Sequence, residues 1–128
     1  MRVLIAEDNR VLADVLRFNL QRAGFVVTVA LNGTLALDRL RSETFDLLIT
    51  DYQMPECNGE QLCQAIREEL YLNELPILMC SAKGLELDVD LLMSRYGVTK
   101  IIYKPFSMRE IVSLASGLIM SQNPSHTV

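Results

Sequence analysis

The sequence has no apolar run long enough to cross a bilayer, no excess of basic charge and no cysteine spacing that would hold zinc. A transmembrane helix needs about 20 consecutive apolar residues, and the longest runs here are far shorter. The net charge is −4, so the electrostatic footprint of a nucleic-acid binder is missing and direct nucleic acid binding is not expected. The N-terminus carries one Arg and four apolar residues before Glu7-Asp8-Asn9, which does not read as a signal peptide. Cys57, Cys63 and Cys80 are odd in number and read as free thiols in a reducing cytoplasm. There is no internal repeat and no low-complexity segment. What is present is a chain of 128 residues, half of them hydrophobic and 22% charged, which implies a single folded domain rather than disorder.

The stretch from Phe45 to Pro55 organises the rest. Leu47, Leu48 and Ile49 form an unbroken apolar run, the pattern of a strand covered on both faces, and the run ends on Asp51. Similar runs recur along the chain. Val3–Ala6 is a first strand, followed by Glu7, Asp8 and the helix-capping Asn9. Val11, Leu12, Val15, Leu16 and Leu20 then recur at helical spacing up to a stop at Gly24. Phe25–Ala30 is β-branched and predicts strand two, Asn32-Gly33 reads as a turn, and Leu35, Leu37 and Leu40 mark a helix to about Arg41. Phe45–Thr50 is strand three. Asn58-Gly59 precedes a helix with Leu62, Ala65, Ile66 and Leu70 on one face. Ile77–Cys80 is strand four, followed by a helix from about Glu86 to Arg95 that Gly97 ends. Lys100–Tyr103 is strand five, closed by Lys104-Pro105, and Ser107 caps a last helix through about Met120.

Strict alternation of five strands and five helices implies a parallel sheet with helices on both faces. The expected architecture is an α/β flavodoxin-like three-layer sandwich of strand order 2-1-3-4-5. Glu7, Asp8, Asp51, Ser81 and Lys104 then share the rim formed by the carboxyl ends of the strands. Three carboxylates on one rim repel one another unless a cation lies between them, and oxygen ligands suit Mg²⁺. Lys104 and the Ser81 hydroxyl suit a phosphoryl group, and a carboxylate can act as nucleophile to give an aspartyl phosphate. Taken singly, each residue has a plainer reading. Asp51 can cap a turn, Glu7 and Asp8 can complement a helix dipole, Ser81 can cap a helix and Lys104 can simply be solvated. Their joint occurrence at four strand ends is what the plainer readings fail to explain.

Glu7-Asp8, Asp51-Tyr52-Gln53-Met54-Pro55 with Gly59, Ser81-Ala82-Lys83 and Lys104-Pro105-Phe106 resemble the motifs of the CheY-like receiver domain of two-component response regulators. The likeness runs from Val3 to about Met120, giving a receiver domain over residues 1–120 and a polar tail over 121–128 that is expected to fray. The resemblance implies that Asp51 accepts a phosphoryl group from a phosphohistidine on a sensor histidine kinase or histidine phosphotransfer protein. It implies Mg²⁺ held by Asp8, Asp51 and the backbone carbonyl of Gln53, with Glu7 acting through a metal-bound water. Ser81, Ala82 and Lys104 would be the phosphate-binding and switch residues, and Pro105 would follow a cis peptide bond. The domain would be a cytoplasmic signalling module that assists its own phosphotransfer and dephosphorylation rather than an enzyme. Its output partner, or a second copy of itself, would dock on the Glu86–Arg95 helix, the fifth strand and the last helix, where Leu92, Met93 and Met108 are either exposed or core.

Three positions depart from the family's usual pattern. Ser81 stands for the commoner Thr, and Glu7-Asp8 for a frequent Asp-Asp pair. The aromatic switch position, three residues before the lysine, is Ile101. Tyr103, two residues on along the same strand face, is expected to be a core tyrosine, with a substitute switch role as the alternative. The span from Ser81 to Gly97 also holds one residue more than in some relatives.

Other functions fit less well. An aspartate-nucleophile phosphatase would carry Asp-x-Asp after strand one, where Glu7-Asp8-Asn9-Arg10 stands. A flavodoxin-like carrier would need a Ser/Thr-rich phosphate loop at that place. A receiver-like module that is never phosphorylated is disfavoured by the complete acidic rim but kept open by Ile101. The sequence after Met120 shows no output domain, which leaves a stand-alone regulator, a truncated one and the receiver of a hybrid kinase all open.

Overall fold

The five apolar runs form one parallel sheet of order β2-β1-β3-β4-β5, with β1 at Arg2–Ala6, β2 at Val26–Ala30, β3 at Leu47–Asp51, β4 at Ile77–Ala82 and β5 at Lys100–Lys104. A computed structural model describes residues 1–82 and 87–121 of the chain. Lys83 and Glu86, on which sequence expectations fell, lie outside the described residues, as do 122–128 of the expected tail.

Alternation along the buried strands divides their side chains between two cores. Leu4, Leu48, Ile77 and Met79 face one layer, which contains α2 (Gly33–Ser42), α3 (Gly59–Glu68) and a short π-helical segment, Leu91–Arg95. Val3, Ile5, Leu47, Ile49, Leu78 and Ile102 face the other, which contains α1 (Arg10–Arg22) and α4 (Met108–Ser121). The fold is therefore the expected flavodoxin-like sandwich. Val3 and Leu47, and Leu48 and Ile77, sit side by side in register, so the carboxyl ends of β1, β3 and β4 reach the same edge.

Several boundaries differ from the sequence expectation for local reasons. Asn32-Gly33 is the start of α2 and not a turn, because the Asn32 side chain accepts from the Leu35 amide at 2.8 Å. Phe25 is not in β2, since its amide closes α1 by donating to the Leu20 carbonyl at 3.1 Å. Phe45 and Asp46 precede β3, and the Asp46 carboxylate accepts from the Arg2 amide at 2.7 Å. The strand instead extends to Asp51, and β4 extends to Ala82. α3 ends at Glu68, before Leu70. The helix expected from Glu86 is described from residue 89, and its last turns wind as a π-helix with Tyr96 N donating to Leu91 O. Leu92 is core, Met93 is exposed and Met108 is half-buried.

α1 carries two stripes rather than one. Ala13, Leu16 and Leu20 are buried, whereas Val11, Val15 and Phe18, spaced four and three residues apart, are exposed. Helical periodicity shows that apolar residues recur but not which stripe meets the sheet.

Candidate functional site

Glu7 follows β1 directly and is held to the sheet edge by its amide, which donates to Ala30 O at 3.1 Å. Its carboxylate is nearly inaccessible and accepts from the Asn9 amide at 3.0 Å. Asn9 in turn caps α1 through the Leu12 amide at 3.1 Å, so one residue aims Glu7 and starts the helix. Asp8 between them is exposed.

Asp51 is the last residue of β3 and is buried. The chain after it is fixed at once. Tyr52 N donates to Cys80 O at 2.8 Å, and Gly59 N donates to Tyr52 O at 2.8 Å. Thr50 adds a hydroxyl that donates to the Asp51 carbonyl at 3.0 Å. A Cβ on Gly59 would come within 2.8 Å of that same carbonyl, so glycine is required for close approach. Asn58 caps α3 in a reciprocal capping box with Gln61, which fixes the helix start against the loop.

One oxygen each of Glu7, Asp8 and Asp51 lie within 4.8 Å of one another. Lys104, the last residue of β5, reaches them from the other side. Its Nζ stands 3.0 Å from Asp51 Oδ1 and 3.8 Å from Glu7 Oε1. Among the described residues, one ammonium faces three carboxyl groups, and the protonation balance reflects it. Burial pushes Glu7 up to about 7, with the Asp51 charge adding to the effect and the Asn9 amide and Lys104 opposing it. Burial also raises Asp51, against the pull of Lys104. Lys104 itself is raised, since the Asp51 hydrogen bond and the charges of Asp51 and Glu7 outweigh its own burial.

The remaining expected residues are placed as follows. Ser81 is buried and pairs in register with Tyr103, and its hydroxyl donates to Ala82 O at 3.3 Å. Ala82 pairs with Lys104, which puts both at the rim. Gln53 is exposed and lines a shallow depression with Asp8, Tyr52 and Pro55. The Lys104–Pro105 peptide bond is cis. Ile101 is half-buried, opposite Met79, and packs on the α2–α3 side core. Tyr103 is not a core residue: it is 41% exposed. β5 is an edge strand, and the face that half-buries Ile101 is exposed two residues later.

Neither Thr50 nor Arg67 stands out in the sequence. Thr50 ends an apolar run and looks like an ordinary strand residue. Arg67 looks like a solvated helix charge, but its guanidinium donates to the carbonyls of Tyr96, Leu72, Leu75 and Gly97.

A parallel doubly wound sheet with an acidic triad and a lysine on its carboxyl edge is the architecture of flavodoxin-like ligand-binding domains. Residues 3–116 match the response regulator receiver domain family, and the chain belongs to it. Among solved structures the chain is similar to a putative response regulator from Chloroflexus aurantiacus, with 29% identity, a TM-score of 0.82 and coverage of 93% of this chain and 97% of that one. It is similar to the chemotaxis protein CheY4 of Vibrio cholerae, with 26% identity, a TM-score of 0.82 and coverage of 91% and 97%. It also resembles the receiver domain of a signal transduction histidine kinase from Syntrophus aciditrophicus, with 27% identity, a TM-score of 0.81 and coverage of 94% and 90%.

Proposed function

We propose that Asp51 accepts a phosphoryl group from the phosphohistidine of a sensor histidine kinase or a histidine phosphotransfer protein, and that Mg²⁺ bound at the rim assists the transfer. The observation that carries this is the placement of Asp51: buried at the end of the central strand, within 4.8 Å of the Glu7 and Asp8 oxygens and 3.0 Å from the Lys104 ammonium. In the step, an Asp51 oxygen bonds to phosphorus while the P–N bond of the donor breaks, and the electron pair returns to the imidazole nitrogen. Lys104 stays beside the oxygens that the phosphoryl group adds, where a point charge suits them. The Ser81 hydroxyl, engaged with the Ala82 carbonyl before transfer, turns to the new acceptor and takes the β4 end with it.

The donor set fits a hard divalent cation. It is all oxygen, it is over-negative, and Lys104, the cation beside it among the described residues, is pulled toward Asp51. Asp8 and Asp51 with the Gln53 carbonyl would hold Mg²⁺, and Glu7 would act through its water. When bound, the ion neutralises charge that develops on the transferring phosphoryl group.

The domain is then a signalling module of the cytoplasm, not an enzyme acting on a separate substrate. None of its described helices is long and apolar enough to cross a membrane. The exposed Val11, Val15 and Phe18 stripe begins beside Asp8 and offers the phosphodonor an apolar face next to the acceptor. Met93 and Tyr103, both exposed, mark the face for an output partner or a second copy.

Intact-mass measurement with a small phosphodonor and Mg²⁺ tests the assignment. The wild-type chain should gain one phosphoryl group and Asp51→Asn should gain none. Equal labelling of the two would place the acceptor elsewhere.

A further inference from the structure

Arg67 is half-buried near the end of α3, and four backbone carbonyls converge on its guanidinium. Two belong to the loop between α3 and β4: Leu72 O, and Leu75 O at 2.8 Å. The other two follow the π-helical segment: Tyr96 O at 2.7 Å and Gly97 O at 2.9 Å. A planar fork with five donors can serve four acceptors from two loops, and no other side chain has that geometry. Gly97 is at φ 64, and a Cβ there would lie 3.3 Å from the Arg67 guanidinium, so the loop backbone is brought close against it. A second tie runs parallel: Arg95 Nη2 stands 3.8 Å from Glu68 Oε1.

The two ends of the segment are thus held differently. After Leu91–Arg95, Val98 is buried and its amide donates to Leu92 O at 2.9 Å, while Thr99 N donates to Ile77 O at 2.9 Å. Before it, Leu87 packs on the α2–α3 side core, residues 88–90 are exposed, and Asp88 accepts from the Leu91 amide through its carboxylate and from the Leu92 amide through its carbonyl. The segment itself is wound as a π-helix, an uncommon winding that can be exchanged for a tighter one. Among the described residues, the exit is the end that backbone hydrogen bonds tie to neighbouring strands and loops.

We propose that Arg67 is a positioning residue for the switch: it anchors the exit of the Leu91–Arg95 segment to the α3–β4 loop, so that a change begun at Asp51 is confined to the residues before Tyr96. The switching role rests on the phosphoacceptor reading above, whereas the anchor itself rests on the hydrogen bonds alone.

The test is hydrogen exchange on the full chain, with and without beryllofluoride and Mg²⁺, in the wild type and in Arg67→Lys and Arg67→Gln. Lys keeps the charge and stem but not the fork, so the fold survives while the four-carbonyl tie does not. In both variants without the mimic, exchange at Tyr96 and Val98 should rise about tenfold, the scale of losing hydrogen bonds from a charged donor. Amides of β1 and β3 should stay unchanged. With the mimic, the wild-type response should stop before Tyr96, and in the variants it should extend through Val98. Variants that match the wild type at Tyr96 and Val98 would overturn the anchor and leave the acceptor reading standing. So would an even loss of protection across the whole sheet, which marks a general stabilising role. A wild type that binds no mimic would fail the acceptor reading and take the switching role with it.

Discussion

Burial holds the Glu7 carboxyl at about 7, where an unfolded chain would titrate at 4.5. The folded state therefore binds a proton more tightly than the unfolded one between those values, and ionising Glu7 costs stability. The penalty builds as pH climbs above about 4.5 and is complete above about 7; Asp51, also raised, acts in the same direction. Glu7→Gln removes the Glu7 part. Melts in a chelator should show the variant losing less stability than the wild type between pH 5 and pH 8, and parallel pH profiles would contradict the assignment. The proposed Mg²⁺ would reverse the balance, since a bound cation favours the ionised carboxylates. Added Mg²⁺ should raise the wild-type midpoint more at pH 8 than at pH 6. The gain is about 1.4 kcal/mol when free Mg²⁺ is about ten times its Kd. Asp8→Ala should lose most of that shift; an undiminished shift would put the metal elsewhere.

At the scale of elements, the site depends on how tightly α3 starts against β3. A Cβ on Gly59 would stand 2.8 Å from Asp51 O and 3.0 Å from Tyr52 Cα, both backbone atoms that yield only if the strand end moves. Gly59→Ala should cost about 1–3 kcal/mol by overpacking. It should also slow phosphoryl labelling of Asp51, because the same shift moves the acceptor. Chemical denaturation and the labelling rate check the two parts, and a stable variant with normal labelling would show that the loop adapts freely. The π-helical winding of Leu91–Arg95 belongs to this scale too, with Leu92 and Val98 both in the core. Ile101 packs on that core beside Met79, so the position where the family usually carries its aromatic is an aliphatic contact here.

For the molecule as a whole, the exposed α1 stripe, proposed above as the face that meets the phosphodonor, can be tested apart from the chemistry. Phe18 is 59% exposed and meets the Arg22 guanidinium at 5.6 Å, which gives it little role in the fold. Phe18→Ser should change stability by no more than about 0.5 kcal/mol, as surface substitutions do. It should leave labelling by a small phosphodonor intact and slow transfer from a phosphorylated histidine protein. Equal transfer rates for wild type and variant would remove α1 from the docking face.

The amino-acid sequence by itself determined the sheet and most of the rim. Unbroken apolar runs can be satisfied only by strands covered on both faces, and Glu7, Asp8, Asp51, Ser81 and Lys104 each stand where such a run ends. The helix starts at Asn9 and Asn58 are legible because each side chain caps its own helix. At Asn32 the same capping is hidden in the sequence, because an Asn-Gly pair also serves as a turn. Only the tertiary structure decided which apolar stripe of α1 is buried, that Tyr103 is exposed, and how the Lys104 ammonium is shared between Asp51 and Glu7. The same holds for Arg67, whose acceptors at Tyr96 and Gly97 lie 29 and 30 residues away along the chain. Local pattern records what each residue prefers, whereas burial, shared charge and a fork reaching two loops arise only once distant segments meet.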